Sequence, residues 1–89
     1  MKEYTATGLI SGGPTTLKYV KVLTDGTNTA KAVLHDNTAA SGNVVDETSV
    51  VGSNNYGGGN IDPPLGIRCS IGLYLTLTGT GASVLIKNT

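Results

Sequence analysis

Apolar and polar residues alternate with a period of two along most of this chain, most cleanly over residues 71–87. Ile71, Leu73, Leu75 and Leu77 are separated by Gly72, Tyr74, Thr76 and Thr78. After Gly79-Thr80-Gly81, the residues Ala82, Val84 and Ile86 alternate with Ser83, Leu85 and Lys87. Successive side chains of a strand point to opposite faces, so this pattern predicts two strands, each with one buried face. Glycines accept the positive φ of a tight turn, so the stretch reads as a β-hairpin whose apolar face packs on another sheet.

The rest of the chain reads the same way. Residues 3–10 predict a first strand with Tyr4 and Ala6 on one face, broken by Ser11-Gly12-Gly13-Pro14. Residues 16–24 predict a second strand with impure alternation. Leu17, Tyr19 and Leu23 have one parity, Val20 and Val22 the other, so either both faces are covered or a bulge switches parity midway. Asp25-Gly26-Thr27-Asn28 is a turn signal. Residues 30–35 place Ala32 and Leu34 on one face, and Lys31, Val33 and His35 on the other. Residues 36–43 form a longer connection. Val44-Val45 opens a short strand that Asp46-Glu47-Thr48-Ser49 interrupts and Val50-Val51 resumes. Residues 52–60, Gly-Ser-Asn-Asn-Tyr-Gly-Gly-Gly-Asn, read as a mobile loop with no regular structure, and Pro63 and Pro64 exclude a central strand. In residues 65–70, Leu65, Ile67 and Cys69 share a face. Seven or eight short strands with no helical period predict one all-β domain over residues 1–89, an antiparallel β-sandwich or jelly roll.

Composition narrows the function. An 89-residue chain buries a small core, and such domains usually add disulfides, a metal or oligomerisation. Cys69 and His35 are the only residues of their types, too few for an internal disulfide or a usual zinc site. Oligomerisation remains, and a homo-oligomer through the sandwich faces is expected, with Val33 and Leu85 apolar on faces that should be wet. Lys plus Arg equal Asp plus Glu and only 13% of residues are charged, so no basic stripe points to nucleic acid. No apolar run is long enough to span a membrane, and residues 1–8 show no apolar signal core, so a chain made in a cytoplasm is expected.

The candidate chemistry is sparse. Gly52 and Gly57 have the spacing of a phosphate loop, but Gly58-Gly59 stand where Lys-Ser or Lys-Thr is required and no helix follows. Asp25, Asp36, Asp46 and Asp62 match no calcium-loop spacing, and Asp25-Gly26 and Asp36-Asn37 read as turn formers bonding their own backbone. No nucleophile motif surrounds any serine. Cys69 reads as a buried thiol, and Asp46 and Glu47 should point to opposite faces rather than at one substrate. Exposed Tyr56 and Tyr74 raise the alternative of sugar stacking. No catalytic residue, cofactor or metal is expected.

Thr24-Asp25-Gly26-Thr27-Asn28 followed by Ala32-Val33-Leu34-His35-Asp36-Asn37-Thr38-Ala39-Ala40-Ser41-Gly42 resembles a recurrent hairpin of small tailed-phage virion proteins. Residues 65–75, Leu-Gly-Ile-Arg-Cys-Ser-Ile-Gly-Leu-Tyr-Leu, and the turn Thr78-Gly79-Thr80-Gly81-Ala82-Ser83-Val84 look like later parts of the same proteins. His35 and Cys69 depart from the pattern, standing where an aromatic residue is common. The resemblance implies a β-sandwich structural component located in the virion, with no catalytic residues. Its most concrete form is a capsid decoration, or cement, protein, an oligomer (a trimer by the resemblance) bound to the major capsid protein or other virion proteins. The alternatives are a small fibre, spike or neck and tail subunit, or a carbohydrate-binding host-attachment module. Within either, residues 52–64 are expected to be the arm that fastens the subunit to its neighbour. Tyr56 and Ile61 would be its apolar anchors, and Pro63 and Pro64 would restrict the chain as it leaves.

Overall fold

The computed structural model describes residues 1–61 and 65–89. Chain order gives β1 (Lys2–Tyr4), β2 (Gly8–Ser11), β3 (Thr15–Leu23), β4 (Ala30–His35), β5 (Val44–Val50), a 3-10 turn (Gly52–Asn54), β6 (Tyr56–Asn60), β7 (Ile67–Cys69), β8 (Leu73–Thr78) and β9 (Ser83–Asn88). They form two antiparallel sheets. One has five strands in the order β1-β9-β3-β6, with β7 also on β3; the other has four in the order β2-β8-β4-β5. The protein is a small β-sandwich, as the alternation predicts.

The core is aliphatic and lies between the sheets. Leu17, Val20, Val22, Val84 and Ile86 point inward from the five-stranded sheet; Ala30, Ala32, Leu34, Leu73 and Leu75 meet them from the other. Strand β3 resolves the impure alternation. Thr15 and Leu17 are buried, then Val20 and Val22, and the register to β9 shifts between Leu17 and Tyr19. The extra residue of a bulge therefore moves the inward parity by one. Buried Thr15 is satisfied: its Oγ1 donates to the Thr89 carbonyl at 2.8 Å and accepts from Asn88 Nδ2 at 2.9 Å.

Several boundaries differ from the sequence expectation. Strands β8 and β9 do not form a hairpin. They belong to different sheets, so Gly79-Thr80-Gly81 carries the chain across the sandwich. Either arrangement buries the same alternating residues, which is why periodicity does not separate them. The Asp25 turn is likewise a crossing, from β3 to β4, and β4 and β5 are the only consecutive described strands that pair. Residues 3–10 are two strands in two sheets. Thr7 Oγ1 fixes the switch by donating to the Leu77 carbonyl at 3.2 Å and accepting from its N–H at 2.9 Å. Residues 44–50 are one uninterrupted strand, because Asp46 and Glu47 lie on a sheet edge where charge is tolerated.

Residues 52–60 hold regular structure: the 3-10 turn, then β6 paired with β3 from Leu23↔Tyr56 to Tyr19↔Asn60. Three crossings stack at this end. A Cβ on Gly52 would lie 2.3 Å from the Thr27 carbonyl oxygen, and one on Gly79 equally close to that of Thr29. Thr24 ties the first two together, its N–H donating to the Asn55 carbonyl at 2.7 Å and its Oγ1 to that of Gly52 at 2.9 Å.

Candidate functional site

Two aspartates hold crossings together. Asp25 Oδ1 accepts the N–H groups of Thr27 and Asn28 at 2.9 and 2.7 Å, a local Asx turn of the expected kind. Asp36 departs from expectation. Its carboxylate accepts backbone N–H from distant residues: Ile71 at 2.9 Å and Gly72 at 3.3 Å on Oδ1, Ser70 at 3.2 Å on Oδ2. This clamp turns the chain before β8, so Ile71 stays exposed while Gly72 and Leu73 are buried. Donated hydrogen bonds favour the ionised form. The Asn28 N–H foremost holds Asp25 below the usual carboxylate range, and the Ile71 N–H foremost does so for Asp36.

Among the described residues, neither a nucleophile–base pair nor a metal centre assembles. Cys69 is fully buried and its Sγ lies 3.8 Å from the Ile67 carbonyl oxygen. Burial, helped by the negative charge of Asp36, pushes its thiol pKa up, the reverse of an activated nucleophile. Leu65, expected on the same face, is exposed, because Gly66 takes φ 77° and turns the chain there. His35 lies on the outer face of the four-stranded sheet between Tyr74 and Val44, with a buried Nδ1 that has no hydrogen-bond partner. Among the described residues no three His, Cys, Asp or Glu side chains gather to hold a metal ion.

Asp46 and Glu47 diverge as expected. Asp46 pairs with Leu34 on the inner face; burial raises its pKa, and the Thr48 hydroxyl, donating at 3.0 Å, opposes the shift. Glu47 points outward, 3.6 Å from Lys31 Nζ. Tyr56 and Tyr74 stand on opposite outer faces of the sandwich and form no common stacking platform.

Of the interface residues expected in the 52–64 arm, Tyr56 and Ile61 lie along one flank, where β5 and β6 are the edges of the two sheets. Tyr56 opens β6; it is 60% exposed, with Lys21 Nζ 4.4 Å from its ring centroid. Ile61 is half-buried, packs against the protein's own core and donates its N–H to the Lys18 carbonyl at 2.9 Å, so it is anchored at home. Pro63 and Pro64 lie outside the described residues. Nearby, Met1, Lys18, Tyr19, Asn60, Ile61, Lys87 and Thr89 line an open groove of about 480 Å³. Its Lys18 already donates to the Leu65 carbonyl at 2.9 Å.

The geometry therefore defines a small β-sandwich whose polar groups mostly tie its own crossings, with an open two-edged flank. No family model, curated protein or solved structure matches the chain.

Proposed function

We propose that this protein is a non-enzymatic structural subunit of a tailed-phage particle, in its most concrete form a capsid decoration protein. It binds the assembled shell through the major capsid protein, as an oligomer, and acts by linkage: what binds the assembled shell and not its parts shifts the equilibrium toward the shell. The supporting observation is where the phage-like stretches fall. Residues 24–42 build the crossing into β4, β4 itself and its turn to β5, and residues 65–84 build β7, β8 and the crossing into β9. Their aspartates, Asp25 and Asp36, are committed to backbone N–H groups, so these stretches hold a scaffold together. The test is a map of the particle with copy number measured by quantitative mass spectrometry. Hundreds of copies on the shell, and heat-sensitive particles when the gene is deleted, are expected. Copies confined to tail or neck, or absence from the particle, would refute the decoration reading.

A further inference from the structure

The four-stranded sheet ends in β2 and β5, the five-stranded sheet in β1 and, on the other side, β6. Edges invite pairing, and proteins guard them with charge, bulges or brevity. Strand β1 has three residues, two of them charged; β2 carries a register shift between Leu9 and Ser11; β5 carries Asp46 and Glu47. Strand β6, Tyr-Gly-Gly-Gly-Asn, has none of these guards.

Edges β5 and β6 share a flank, joined through the 3-10 turn. They run in opposite directions: β6 starts beside Leu23, at the crossing end, and β5 finishes there opposite Ala30. The flank carries exposed apolar residues towards both ends, Leu65 just ahead of β7, which continues the edge on β3 beyond β6. Val51 and Tyr56, both 60% exposed, mark the crossing end; Val44 at 53% and Leu65 at 73% mark the far end. At mid-height, Lys21 pairs with Gly58 and faces outward, and Glu47 faces outward from β5.

We propose that two copies of this chain join flank to flank about a two-fold axis parallel to the strands, β6 of each pairing antiparallel with β5 of the other. Such an axis preserves height and carries the outer face of one sheet onto the level of the other sheet. Tyr56 then meets Val51 of the second copy, Leu65 comes level with its Val44, and Lys21 reaches its Glu47 across Gly58, which has no side chain in the way. The contact is isologous, so each pairing occurs twice. The rival two-fold, perpendicular to the sheets, sets β6 on β6 and β5 on β5; it brings Glu47 to Glu47 on adjacent strands and leaves each Lys21, one strand in on β3, without an acidic partner across the joint. Charge therefore selects the first axis, since like charges across an interface are costly. The joint stands whether or not the protein is a virion component, and it lies on the flank rather than on the sandwich faces.

Sedimentation equilibrium at tens of micromolar tests the stoichiometry, with circular dichroism confirming the fold of each variant. A dimer is expected. Lys21→Glu and Glu47→Lys should each weaken it at least about tenfold, and the double variant should recover to within about threefold of wild type. Oxidative cross-linking fixes the axis without depending on those variants. Val51→Cys protein mixed with Tyr56→Cys protein should give the 51–56 linked pair in preference to 51–51 or 56–56. A monomer, a trimer, absence of charge-swap recovery in folded variants, or dominant 56–56 linkage would each overturn the proposal.

Discussion

Three residues set the chemical character of this sandwich, and each responds differently to pH or substitution. Asp36 has a folded pKa below its unfolded value. Its contribution is fully present above the ordinary carboxylate pKa of about 3.9 and is lost as pH falls through the lower folded value. Asp36→Ala should lower Tm at pH 7, with the deficit shrinking below about pH 3.9 in thermal melts followed by circular dichroism. Asp46 has the opposite sign: its folded pKa is raised, so ionised Asp46 opposes folding once pH exceeds that value. Asp46→Asn should raise Tm at pH 7 and lose its advantage below about pH 3.9. Cys69 should label slowly with a thiol reagent in the native protein, and Cys69→Ala should cost about 1–2 kcal/mol in denaturant titrations through lost packing. The Asp25 turn was legible because its partners are two and three residues away. The Asp36 clamp was not, because its partners lie 34 to 36 residues on and nothing local marks them.

At the scale of elements, alternation reveals which side chains face inward but not which strand lies alongside. The pattern over residues 71–87 identified Leu73, Leu75, Val84 and Ile86 as inward-facing, and the β3 bulge was one of the two readings that its switch of parity allowed. A hairpin and a crossing put the same residues in the core, so the topology around Gly79-Thr80-Gly81 stayed hidden. Residues 52–60 misled for another reason. Glycine disfavours strands through backbone entropy, but β3 supplies a template, and close approach leaves little room there for side chains. A Cβ on Gly57 would lie 2.7 Å from Val50 Cγ2. Deleting residues 54–58 would remove most of a strand paired to β3, and is expected to lower the denaturant midpoint and the native β signal in circular dichroism. A variant that melts like wild type would show β6 to be dispensable for stability.

For the whole molecule, the class was legible from strand spacing and the absence of helical periodicity, and the two sheets agree with it. The order of strands was not, because it depends on contacts far apart in sequence, such as Lys2↔Ile86 and Lys21↔Leu85. The position of β9 has a kinetic consequence. It lies between β1 and β3 in the five-stranded sheet, although every other described strand precedes it along the chain. Until residues 83–88 arrive, β1 has no neighbour, β3 lacks one side of its ladder, and Val84 and Ile86 are missing from the core. Closing such distant pairs costs loop entropy before any contact repays it, so refolding should take about milliseconds to seconds in stopped-flow measurements. A chain ending at residue 82 should stay unfolded at any waiting time, and should acquire β structure when a peptide of residues 83–89 is added. During synthesis the nascent sandwich would then wait for its central stave, leaving its apolar faces to chaperones until that strand emerges.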